Sequence, residues 1–270
     1  MSWRKWLKRK PPKRRVGEDR KPESGLPAEA YAPLRELIFA DESLEQVAGF
    51  VAQQVRAGED VRPLWKRLAQ VAAWVSKGQR PLAVEELRRL LEDEGEDARS
   101  FFQFWNYLRQ LGEVPGPAVA TRILGLVVEY SREGRPAFLA AYWDGTARLL
   151  EANGEFQGFT NPDALMVDNV REFLAVCGPL VEATRPSPGP RPAPPVGERC
   201  LITVLTPAGL RSREGTWAAL WDDAVSGPVL DMAAELRQRL LEYALGPAAG
   251  GAAPWPGRRS QGGAGGPPVQ

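Results

Sequence analysis

Apolar residues recur every three or four positions between residues 27 and 113, which predicts helices. Ala30, Tyr31, Leu34, Leu37 and Ile38 form the first stripe. Leu44, Val47, Ala48, Val51 and Val55 form a second, with Asp41 placed to cap it and Gly58 to end it. Asp60 precedes a third helix that turns Leu64, Trp65, Leu68, Val71, Ala72 and Val75 inward and stops at Gly78. Pro81 leads a fourth with Val84, Leu87, Leu90 and Leu91. Asp97 opens a fifth, the most aromatic stretch of the chain, carrying Phe101, Phe102, Phe104, Trp105, Tyr107 and Leu108 up to Gly112. Short glycine-marked loops predict antiparallel neighbours in a small bundle.

The period changes at Pro115-Gly116-Pro117. Residues 123–130, 137–143, 146–151 and 155–159 read as strands, joined at Asp144-Gly145 and Asn153-Gly154 by turns suited to tight hairpins. Asn161-Pro162 then caps and starts a helix with Val167, Val170, Phe173, Leu174, Cys177 and Val181 on its apolar side. Residues 184–198 are a proline-rich connector without a core of their own. Beyond it come strands at 201–205 and 210–213 and a last helix at 228–245, with Leu230, Ala233, Leu236, Leu240 and Leu241 inward. A strand pair and one helix are too few to fold alone, so they should complete the preceding sheet.

The expected class is α+β. An all-α module at 27–113 is followed at 118–246 by an antiparallel sheet of five or six strands with two main helices on one face. The connector at 184–198 is a loop within that second module. Residues 1–26 read as a basic disordered arm and 247–270 as a disordered Gly/Pro-rich tail.

Composition narrows the chemistry. The 270 residues include no histidine. That removes Ser-His-Asp and Cys-His nucleophiles, an imidazole base and histidine-ligated metal sites. Cys177 and Cys200 both fall in apolar runs and read as buried thiols. No phosphate-binding loop, nucleophile elbow, EF-hand loop or dinucleotide fingerprint occurs, and neither cofactor nor metal is expected. Acids cluster at Glu92, Asp93, Glu94, Glu96 and Asp97 and again at Asp222 and Asp223, beside helix starts where capping explains them. A carboxylate-based enzyme ranks third among the functional readings, and a pocket holding two desolvated carboxylates is what would favour it.

Charge is distributed unevenly. The first 21 residues hold ten Lys/Arg against two acids, and five of the seven lysines. The whole chain is +1, so an arm of +8 leaves −7 on residues 22–270. Trp3, Trp6 and Leu7 stand at i, i+3 and i+4 and would share one side of a short helix flanked by Arg4, Lys5, Lys8, Arg9 and Lys10. Pro11-Pro12 prevents its extension, and Lys13, Arg14 and Arg15 continue the charge. So short a helix does not hold in water, so order must come from binding. Indoles favour the headgroup depth of a bilayer, and each basic residue contributes ~1 kcal/mol at an anionic surface.

The leading reading is therefore a non-enzymatic adaptor that the arm brings to an anionic surface, the inner membrane face in particular. Its protein partners are not identified by the sequence. The competing reading is a nucleic-acid-associated protein gripping phosphates through the same residues. The simplest alternative is a solvated tail. The charges of a signal peptide are present without its apolar segment, so a cytoplasmic or peripheral membrane location is expected. Phe101, Phe104 and Trp105 are a candidate partner groove, against the simpler reading of a helix buried all round.

Overall fold

The computed structural model describes residues 28–93, 97–160, 162–187 and 189–245. The basic arm with its Trp3, Trp6 and Leu7, the C-terminal tail, Glu94, Glu96 and Asn161 lie outside the described residues.

A short turn of 3₁₀ helix leads into α1 (Tyr31–Phe39), followed by α2 (Leu44–Arg56), α3 (Pro63–Ser76), α4 (Arg80–Glu92) and α5 (Ala98–Gln110). The caps differ from expectation in two places. Ser43, not Asp41, caps α2: its hydroxyl accepts from the Gln46 N–H while the Gln46 side chain accepts from the Ser43 N–H. Asp60 does not cap α3, whose N-cap position is Arg62, with Pro63 in the first turn and no side-chain cap. Asp97 caps α5 as expected, accepting from the Ser100 N–H. Val47, Leu68, Val71, Leu87, Leu90, Phe104 and Tyr107 bury against one another to form the core of this helical half.

After the one-turn α6 (Pro117–Ala120), β1 (Gly125–Arg132), β2 (Arg135–Tyr142), β3 (Ala147–Leu150) and β4 (Phe156–Phe159) run as a meander. Then come α7 (Ala164–Ala175), α8 (Gly178–Ala183), the connector, β5 (Arg199–Thr206), β6 (Gly209–Thr216), α9 (Trp217–Trp221) and α10 (Ser226–Leu245). The strands form one six-stranded antiparallel sheet in the order β4-β3-β2-β1-β5-β6. The last hairpin does complete the sheet, pairing β5 against β1 with Val128 opposite Ile202. Asp163, and not the expected Asn161-Pro162, caps α7, accepting from the Met166 N–H. The β2–β3 turn needs glycine at Gly145, where φ is +86° and a Cβ would lie 2.6 Å from Val167 Cγ2.

Burial explains why the central strands β1, β2 and β5 are apolar almost continuously. Leu126, Val128, Leu139, Leu149, Ile202 and Val204 pack under α7, α8, α9 and α10. Val127, Phe138, Ala140, Tyr142 and Leu205 face the other way, onto α1 and the start of α5. Two main helices cover one face, as expected. The opposite face is also covered, by the N-terminal helices, so the central strands, buried on both sides, carry little polar alternation, while the edge strand β6 is polar and partly exposed. Helix α5 joins the two halves, with Ala98 and Phe102 against the sheet and Phe104, Tyr107 and Leu108 in the helical core.

Candidate functional site

A charged network lies where α1 crosses the sheet. Glu129 stands in the middle of β1, fully buried, and Arg35 on α1 is 6% exposed. The guanidinium reaches the carboxylate with Nε 2.5 Å from Oε1 and Nη2 3.0 Å from Oε2, and Tyr31 donates its hydroxyl to Oε1 at 2.7 Å. Arg35 also donates to the Pro192 carbonyl of the connector at 2.6 Å. Arg191 in turn donates to the Arg35 carbonyl at 2.8 Å and pairs with Asp41 at 2.9 Å, its guanidinium 4.4 Å from the Phe39 ring. Burial alone would lower the Arg35 pKa, but the hydrogen bonds and charge of Glu129 outweigh it and hold the group above its ordinary value. Burial and the same carboxylate push the Tyr31 phenol up. The network fastens three segments together: first helix, central strand and connector.

Beside it opens a cleft of about 500 Å³ between the α1–α2 loop, α5, the connector and the β5–β6 turn. Asp41, Asn106, Arg109, Arg191 and Leu210 line it. Burial pushes the Asp41 carboxyl up to about 6 despite the pull of Arg191. Glu42, 5% exposed, receives a hydrogen bond from the Gln103 amide at 3.2 Å and has Arg99 3.6 Å away. Arg109 donates to the Pro207 carbonyl at 2.5 Å and to the Asn106 side-chain oxygen, and lies 5.6 Å from the Phe102 ring. No carboxylate pairs with it among the described residues, and burial lowers its pKa to about 10. The Nε of Arg191 is buried without a hydrogen-bond partner. Clefts at a junction of substructures, lined by a few convergent polar groups, are where small-molecule sites concentrate.

The aromatic positions anticipated on α5 do not form an open groove. Phe104 is fully buried in the helical core, while Phe101 and Trp105 are half-buried, Phe101 edge-on to Trp143 at 5.8 Å. The helix joins two cores and needs aromatics all round. The surface-binding residues of the arm lie outside the described residues, so the structure brings none of them to a site. Comparison with known proteins adds nothing to this geometry: no family model, no curated protein and no solved structure matches the chain.

The acids resolve into structural posts. Asp93 pairs with Arg67, and Asp223 caps the start of α10 while holding Arg213. Asp144 keeps its turn by accepting from Thr146, and its second oxygen accepts from the Ala98 N–H, so the hairpin also ties down the start of α5. Cys177 and Cys200 are free and buried, and burial raises the Cys177 thiol to about 12. Among the described residues no group of three metal-binding side chains occurs, and no helix is long and apolar enough to cross a membrane.

Sequence reasoning missed Arg35, Glu129, Arg191 and Arg109. One signal was in view: Glu129 is the sole charge inside the apolar run Leu126-Val127-Val128-Glu129-Tyr130. An acid there is exposed, partnered or functional. Arg109 offered no such mark, since an arginine near a helix C-terminus is ordinary.

Proposed function

We propose that this protein is a non-enzymatic interaction protein, an adaptor that its N-terminal arm recruits to an anionic surface. The inner membrane face suits the arm best. One observation carries the reading: +8 of charge with Trp3, Trp6 and Leu7 is confined to 21 residues, ahead of a body of opposite sign. The arm's cations each gain ~1 kcal/mol near an anionic bilayer. Ordering the backbone costs roughly 1–2 kcal/mol per residue. Charge alone therefore falls short over nine residues, and the indoles must supply the difference at the interface. The attachment is reversible.

The nucleic-acid reading rests on the same cations and is tested against the first by competition. Full-length protein is mixed with anionic vesicles and a single-stranded oligonucleotide at equal phosphate concentration, and the vesicles are spun down. Recruitment by the bilayer predicts that the protein stays with the pellet. Its transfer to the supernatant with the oligonucleotide would replace the membrane reading by the nucleic-acid one. The carboxylate-enzyme reading has one observation in its favour, Asp41 and Glu42 in a single cleft, but each has an arginine beside it.

A further inference from the structure

We propose that the cleft between α5, the connector and the β5–β6 turn binds a small monocarboxylate, with Arg109 as the group that takes the anion. The lining carries two acids, Asp41 and Glu42, and two arginines, Arg109 and Arg191, and each acid has an arginine other than Arg109 beside it, that of Glu42 being Arg99 outside the lining. Arg191 is matched to Asp41 at 2.9 Å, and Glu42 has Arg99 at 3.6 Å. Arg109 is left over. It is fixed in place by the Pro207 carbonyl and the Asn106 amide oxygen, and its remaining N–H groups have no acceptor among the described residues. A guanidinium held in this way presents a fork matched to a carboxylate, and its rigidity is already established before the ligand arrives.

The single surplus charge sets the class of ligand. A monoanion neutralises Arg109, whereas a phosphate dianion would bring a second negative charge into a cleft already lined by Asp41 and Glu42. Phe102, Pro190 and Leu210 give the cleft apolar surface for a short hydrocarbon or aromatic body. A volume of about 500 Å³ lies within the range of small-molecule sites. The inference draws on residues of the body and not on the charge of the arm.

The experiment uses full-length protein at constant ionic strength, titrated with butyrate, benzoate, their neutral amides and inorganic phosphate. Binding is read by saturation-transfer NMR and by the shift of the melting temperature. The acids should bind saturably with Kd of ~1–10 mM, the range open to ligands of so few atoms. The amides and phosphate should bind at least tenfold more weakly. Arg109→Met, which keeps the side-chain bulk beside Phe102, should weaken butyrate about tenfold or more. Asp41→Asn removes the opposing charge and should tighten butyrate, an effect in the direction that damage to the fold cannot produce. The proposal is overturned if wild-type protein shows no saturable response to either acid, or if phosphate or the amides bind as well. Unchanged affinity in a folded Arg109→Met protein or weaker binding by Asp41→Asn overturns it too.

Discussion

Glu129 is fully buried in the sheet, and Arg35 and Tyr31 supply the hydrogen bonds to its carboxylate. Removing one partner strands the other. Glu129→Ala should therefore cost about 3–5 kcal/mol in equilibrium denaturation, and Arg35→Met a comparable amount. Replacing both, as Glu129→Leu with Arg35→Met, should recover most of that loss, because a well-packed apolar pair avoids the desolvation of two ions. By contrast Arg89→Ala, which breaks the exposed pair with Glu85, should change stability by no more than ~0.5 kcal/mol. The cysteines give a second check at this scale. Burial raises both thiols, so neither should react with a disulfide reagent at neutral pH until denaturant is added. Pattern reading placed both cysteines correctly inside the core. It could not find the partner of Glu129, which is 94 positions away on a helix whose own stripe makes sense without it.

Helix starts show how local chemistry decides among neighbouring candidates. Asp41, Ser43 and Asp60 all stand before helices, yet only Ser43 has the partner three residues on that closes a reciprocal cap. Ser43→Ala should destabilise by about 1 kcal/mol in urea unfolding, whereas Asp60→Ala should leave the midpoint where it is. Asp223 links a cap to acid stability. Hydrogen bonds from the Ser226 and Val225 N–H groups, with Arg213 nearby, hold its carboxyl below the usual 3.8. A pKa lowered on folding contributes stability above the unfolded value and loses it as pH falls through the folded one. The stability gap between wild type and Asp223→Asn should thus be constant near neutrality and shrink below pH 3.8. Most helices and strands were foreseen to within a few residues because periodicity reports a buried face, but the single helix expected through Val181 divides into α7 and α8, and the short α9 was not foreseen. The choice of cap depends on where the first turn actually begins, which periodicity does not specify.

For the whole molecule, the coverage of both sheet faces matters most. The β1–β4 meander and a last hairpin that completes the sheet followed from the pattern of runs and turns, but the pairing of β5 against β1 did not. The continuous apolar runs at 124–128, 137–142 and 200–205 also announced burial on two sides, but the helices that supply the second cover precede the sheet in the chain. They have a stripe of their own, so they read as a separate module. If α1 and α5 are integral to the sheet, a fragment beginning at residue 118 exposes Val127, Phe138, Ala140, Tyr142 and Leu205. Such a fragment should bind a hydrophobic dye and aggregate, while the full chain should elute as a compact species. The cleft could not be found from sequence, because its walls come from four segments that only the fold brings together.

The proposed function turns on the arm. Its charge and indoles were evident from the first ten residues, and the acidic body has the wrong sign for an anionic bilayer on its own. The direct measurement is co-sedimentation with vesicles containing anionic lipid, comparing the full chain with residues 22–270 at moderate salt, and neutral vesicles as the reference. The account predicts that the full chain pellets with anionic vesicles only and that removing residues 1–21 abolishes it. Failure of the full chain to pellet, or equal pelleting of the shortened chain, would contradict it.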